Sequence, residues 1–107
     1  MPGFLANHDA IKAKGIDTIA CIAVNDPFVM GAWGKEQGTD DKIMMLSDGN
    51  GEFTEMMGLV LDATRMGMGK RSRRYAMVVE SGVIKGLYVE QPGAFDVSSA
   101  EAVLKTL

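Results

Sequence analysis

The sequence predicts an α/β fold, a mixed sheet flanked by helices on both faces, formed as one domain over residues 1–107. Three observations carry this. Ile16–Val24 (IDTIACIAV) is a nearly continuous apolar run with β-branched residues, which suits a strand buried on both faces of a parallel sheet. Helical and extended patterns alternate through the first half, and that alternation favours parallel pairing. Late in the chain, two apolar runs flank Ser81-Gly82, a hairpin signal that adds antiparallel strands.

Each element has a local reason. Pro2 suits a first helical turn, where no backbone donor is needed. Phe4, Leu5, His8 and Ile11 then share one face, and Gly15 ends a helix over residues 2–14. After the Ile16–Val24 strand, Asn25-Asp26-Pro27 reads as a cap followed by a helix-starting proline. Phe28, Val29, Ala32 and Trp33 give that helix an apolar stripe to about Gln37. Lys42–Leu46 (KIMML) is a short strand, and Ser47-Asp48-Gly49-Asn50-Gly51 is turn chemistry. Phe53, Met56 and Met57 fit a short helix ending at Gly58, Leu59–Asp62 a short extended piece, and Met66–Lys70 a loop. Arg74–Glu80 and Val83–Glu90 are the hairpin strands, and Gln91-Pro92-Gly93 breaks the sheet. Ser98 and Glu101 match a capping box that opens the last helix.

Composition narrows the function classes. A net charge of -3 argues against nucleic acid as the main partner, since phosphate neutralisation needs basicity. No apolar run approaches the roughly 18 residues of a bilayer span, and Met1-Pro2-Gly3-Phe4 does not look like a signal peptide. One cysteine cannot form an internal disulfide, which points to a reducing, cytoplasmic setting. Nine methionines read as flexible core filling.

The chemistry-bearing residues are few. One histidine, His8, and one cysteine make no metal site. Asp48-Gly49-Asn50-Gly51 lacks the glutamate that would complete a calcium loop. No glycine-rich phosphate or dinucleotide motif occurs, so no cofactor is expected. Cys21, inside a strand, reads on spacing as a small buried hydrophobe. Lys70-Arg71-Ser72-Arg73-Arg74 reads alone as a solvated basic run. Phe28 and Trp33 read as core or subunit contact, which leaves a homodimer open.

Five blocks in register add a resemblance over essentially the whole chain. They are Met1-Pro2-Gly3-Phe4; Cys21 to Met30 (CIAVNDPFVM) with Trp33 after it; Leu46-Ser47-Asp48-Gly49; Arg71-Ser72-Arg73-Arg74-Tyr75-Ala76; and Phe95 to Glu101 (FDVSSAE). Together they resemble the type-II peroxiredoxins. That family implies a thioredoxin-like fold and a thiol peroxidase acting on hydrogen peroxide and alkyl hydroperoxides. Its peroxidatic cysteine lies in a Pro-x-x-x-Thr-x-x-Cys motif a few residues before the Pro-Gly-aromatic segment. No residue here matches that motif, so the expectation is a domain lacking its N-terminal part and inactive as it stands. The alternative is a non-catalytic thioredoxin-like relic or interaction module.

The resemblance assigns Arg74 as the active-site arginine. It would favour the thiolate and the charge on the leaving oxygen. Arg71 and Arg73 are expected to face solvent or acidic neighbours. Some relatives carry a cysteine at the place of Cys21, which allows it a redox role. Val97-Ser98-Ser99 stands where two-cysteine members keep a resolving thiol, so resolution falls to an outside thiol: glutathione, glutaredoxin or thioredoxin.

Overall fold

The computed structural model describes residues 1–91 and 93–107; the Pro92 of the expected sheet break lies outside the described residues. Pro2–Ala6 (α1) and His8–Ala13 (α2) replace the single helix expected over 2–14. The break falls at Asn7, whose side chain turns back to donate to the Gly3 carbonyl at 2.8 Å. Asparagine competes for backbone groups in this way and so interrupts helices.

Ala20–Ala23 (β1) is shorter than the Ile16–Val24 run, and its residues are half-buried or exposed rather than buried on both faces. The reason is its partnership. β1 pairs in parallel with Met44–Ser47 (β2), and among the described residues that ladder has two strands. One neighbour satisfies one edge, and before Ala20 the pairing extends to the Ile19 carbonyl, which accepts from the Met44 N–H at 2.9 Å. Between the two strands runs Pro27–Gln37 (α3), started by the expected signal: Asp26 caps it, accepting from the Val29 N–H at 2.8 Å. Its buried face is not the expected one. Met30 and Gly34 are buried, whereas Phe28 is 87% exposed and Val29 also points outward. A Cβ on Gly34 would lie 2.9 Å from Met45 Cγ and 3.0 Å from Thr39 Oγ1. Glycine therefore sets how closely α3 rides on β2.

Glu52–Met56 (α4) follows the Asp48 turn. Val60–Ala63 (β3) then pairs antiparallel with Gly69–Ser72 (β4), across a 3-10 turn at Thr64–Met66. The glycine- and methionine-rich stretch expected as loop thus carries a strand. Tyr75–Glu80 (β5) and Val83–Val89 (β6) form the predicted hairpin. Ser81 and Gly82 both have positive φ, at 52° and 78°, the requirement of the tight turn that matches strand twist. Ala100–Thr106 (α5) closes the chain. The parallel β1–β2 pairing and the β5–β6 hairpin are those expected and the β3–β4 pairing is not; the described residues distribute the three over separate two-stranded ladders instead of one sheet. Ile11, Met30, Ile43, Leu59, Ala63, Ala100 and Val103 are the buried apolar side chains. No described helix is long and apolar enough to cross a membrane.

Candidate functional site

The basic run lies where two hairpins join. Only Arg73 and Arg74 separate β4 from β5. The Arg73 N–H donates to the Leu59 carbonyl at 2.7 Å, prolonging one ladder, and the Arg74 carbonyl accepts from the Glu90 N–H at 2.9 Å, prolonging the other. The backbone of these two residues is therefore held from both sides.

Their side chains differ sharply. Arg71 is half-buried and donates from Nη2 to Asn25 Oδ1. Arg73 is half-buried and donates to the Glu90 carbonyl at 3.0 Å. The expectation that both face solvent or acidic side chains is corrected: half-buried guanidinium groups need acceptors, and the neutral oxygens of the Asn25 side chain and the Glu90 main chain supply them. Arg74 is exposed, with its guanidinium carbon 4.7 Å from the centre of the Phe95 ring. Among the described residues it has no hydrogen bond or ion pair from its side chain. A cation over an aromatic face is attracted to it yet keeps its N–H donors available. Arg73, Arg74 and Phe95 line one cavity of about 500 Å³, together with Leu61, Ser72 and Glu90. Arg71 lines another, with Val24 and Thr54. The basic run is thus split between two places.

Glu90 is the group that sequence reasoning missed. It is 4% exposed. One carboxylate oxygen accepts from the Asp96 N–H at 2.8 Å, the Ser98 N–H at 2.8 Å and the Ser98 hydroxyl at 2.7 Å. Burial by itself would raise its pKa. The Ser98 hydroxyl and the backbone N–H groups of Ser98, Asp96 and Val97 outweigh it and hold the carboxyl down at about 2. This competition also displaces the expected capping box. Ser98 serves Glu90, and Ser99 caps α5 instead, accepting from the Ala102 N–H at 3.1 Å. A glutamate ending an apolar strand, followed by serines, is the only trace the sequence holds of this arrangement.

A second buried carboxylate stabilises the turn before α4. Asp48 accepts from the Phe53 and Thr54 N–H groups at 3.1 and 2.9 Å and from the Thr54 hydroxyl at 2.6 Å. The Thr54 hydroxyl, ahead of burial and the backbone donors, holds its pKa below the ordinary carboxylate value. These three donors make the segment the turn that the sequence predicts.

Cys21, in β1, is a free thiol and half-buried rather than buried. Burial still raises its pKa, and the positive amino group of Met1 offsets only part of this. Tyr75 is raised by burial and then by the charges of Asp48 and Cys21. The Met1 amino group thus acts on Cys21, and Cys21 in turn on Tyr75. His8 Nδ1 lies 3.1 Å from Asp9 Oδ1 on α2, with His8 half-buried and Asp9 exposed. Among the described residues no three His, Cys, Asp or Glu side chains converge as metal ligands would.

Comparison with known proteins places this geometry. The redoxin family model matches residues 1–104. Peroxiredoxin-2E, chloroplastic, of Arabidopsis thaliana is 53% identical over 109 aligned residues, which take in 100% of this chain and 47% of that protein. Among solved structures, reduced Prx3 of Vibrio vulnificus in complex with hydrogen peroxide superposes with a TM-score of 0.94 at 48% identity, over 99% of this chain and 68% of that one. Peroxiredoxin 5 of Alvinella pompejana gives a TM-score of 0.88 at 44% identity, over 98% and 65%. The chain spans about half to two-thirds of the length of the curated relatives it matches. Its thioredoxin-like fold and its blocks in register have one source: the chain belongs to the redoxin family, in the type-II peroxiredoxin branch.

Proposed function

We propose that residues 1–107 are the arginine-bearing part of a thiol peroxidase that reduces hydrogen peroxide and alkyl hydroperoxides. The nucleophilic thiol comes from a Pro-x-x-x-Thr-x-x-Cys segment outside these residues. In the reaction the thiolate attacks one peroxide oxygen, the O–O bond breaks, and a sulfenic acid and an alkoxide or hydroxide result; a proton completes the alcohol or water. Two external thiols then return the sulfenic acid to the thiol, giving one disulfide and one water. Glutathione, glutaredoxin or thioredoxin would supply them.

The observation that carries this reading is Arg74. Its guanidinium stands over Phe95 at the wall of a cavity, with no acceptor engaged among the described residues. Such a cation favours the thiolate over the thiol and offers fixed donors to the leaving oxygen. The Vibrio vulnificus relative is described as a complex with hydrogen peroxide, which supports the substrate class. Cys21 itself is not the nucleophile in this reading. Its pKa is raised, the wrong direction for a peroxidatic thiol.

The setting we assign is a reducing compartment. Relatives from two plants are named as chloroplastic, so the plastid suits it as well as the cytoplasm. A second copy of the chain belongs to the proposal too, with the exposed Phe28 of α3 as its apolar contact.

The test joins these residues to a Pro-x-x-x-Thr-x-x-Cys segment and follows hydroperoxide consumption with thiol recycling. Turnover that vanishes when the motif cysteine becomes serine, and drops when Arg74 becomes alanine, supports the reading. A joined protein that folds, retains a titratable thiol and consumes no peroxide would sink it and favour the non-catalytic module.

A further inference from the structure

We propose that Glu90 is a positioning residue for Arg74, acting through the segment that carries Phe95. Three observations converge on it. The Glu90 main chain touches both arginines of the seam: its N–H donates to the Arg74 carbonyl at 2.9 Å, and its carbonyl accepts from Arg73 Nη2 at 3.0 Å. Its buried carboxylate holds the other side, taking the Asp96 N–H and both donors of Ser98 on a single oxygen. Phe95, the residue immediately before Asp96, is the ring on which the Arg74 guanidinium rests.

The logic is geometric. Phe95 is more than half exposed, and the residues around it have no regular structure. Packing alone does not fix such a ring. The three hydrogen bonds to Glu90 fix the backbone on its C-terminal side. The Glu90 main chain at the same time fixes the backbone of Arg74. One residue thereby sets both partners of the cation–ring contact. A long, exposed arginine side chain otherwise samples many rotamers, and ordering it costs entropy. Seating it before the peroxide arrives means that cost does not fall on the reaction step. The functional meaning of this link rests on Arg74 being the guanidinium that meets the peroxide; the link itself does not.

The first measurement uses the chain itself, nitrogen-15 labelled, and follows the Arg74 Nε–Hε resonance, which the Phe95 ring current shifts upfield. Phe95→Leu should abolish that shift. Glu90→Ala should abolish it as well, and Ser98→Ala should reduce it. Glu90→Gln should restore most of it, because the amide oxygen can accept the same three bonds. An Arg74 resonance that stays in place in Glu90→Ala overturns the proposal. Where Glu90→Ala does not fold, Ser98→Ala decides in the same terms.

The second measurement uses the protein joined to its thiol segment. Glu90→Ala should slow oxidation of the motif thiol by about 10-fold, as expected for a displaced rather than deleted donor. Added to Arg74→Ala, it should cost nothing further, because a residue that acts through Arg74 has nothing left to position. Losses that multiply in the double variant overturn the proposal. If Arg74→Ala leaves oxidation unchanged, the assigned peroxidase role fails, and the resonance experiment still decides whether Glu90 seats Arg74.

Discussion

Cys21 and Arg74 sit in regions of opposite construction. Cys21 belongs to a parallel ladder of two strands, joined by a helix that leaves the aromatic ring of Phe28 87% exposed. Its surroundings supply burial and little charge, so the thiol is pushed away from its reactive form. Arg74 belongs to the junction of two antiparallel hairpins, tied by hydrogen bonds on both sides. Its surroundings supply order and, among the described residues, leave its donors unused. One region holds a thiol whose surroundings raise its pKa, and the other holds the arginine that we propose activates a thiol from outside these residues. The sulfur's presence therefore says less about reactivity than the field around it.

The largest effect would separate the two regions outright. The 107-residue chain should show no thiol-peroxidase turnover in a hydroperoxide assay with thioredoxin or glutaredoxin recycling. Family-like turnover that disappears in Cys21→Ser would collapse the contrast. Next comes Arg74→Ala in the thiol-bearing protein, which should lower the rate of thiol oxidation by on the order of 10²-fold. Arg74→Lys should lose less, since it keeps the charge without the planar fork. Arg71→Ala should be the mildest, because Arg71 faces the other cavity. An inverted order, measured by stopped-flow oxidation and by the thiol pKa, would move the site to Arg71.

Acid sharpens the comparison from the Glu90 side. The Glu90 carboxyl sits at about 2 in the fold against an ordinary 4.5. A depressed folded pKa gives stability that is fully present above 4.5 and is lost as pH falls toward about 2. Denaturation midpoints should therefore fall less between those pH values in Glu90→Gln than in the unaltered chain. Equal slopes would mean that the carboxylate is not held as described.

Two smaller effects probe each region's packing. On the Cys21 side, Gly34→Ala places a methyl against Met45 and Thr39. It should destabilise by about 1 kcal/mol, overpacking outweighing the better helix propensity. On the Arg74 side, Ser81→Asn should stabilise by about 0.5 kcal/mol, since asparagine tolerates the left-handed conformation that Ser81 adopts. Urea midpoints check both signs.

What the sequence made legible was local. Asp26-Pro27 starts a helix, Ser81-Gly82 turns a hairpin and Gly58 ends a short helix, because each signal acts on its own neighbours. The errors came where a distant partner decides. The β-branched run before Ala20 is strand-like, yet a strand needs a neighbour along its length. The apolar residues of α3 surround much of its girth, so Phe28 and Val29 looked as buriable as Met30. The pattern around Ser98 fits a cap, but Glu90 sits eight residues earlier and takes its hydroxyl. For the same reason Glu90 was invisible: its three donors follow no spacing rule. The proposed role of Arg74 comes only from the resemblance, since nothing in its local pattern separates it from Arg71.

The two-residue seam at Arg73 and Arg74 has a consequence for the order of folding. Both hairpins it joins close short loops, while the ladder of Cys21 closes only across all of α3. Short-range pairings form faster than long-range ones. The backbone of the arginines is then set as soon as the hairpins dock, early and from nearby contacts. The scaffold around the thiol of β1 arrives later, so refolding should restore the arginine's place before the parallel strands find each other.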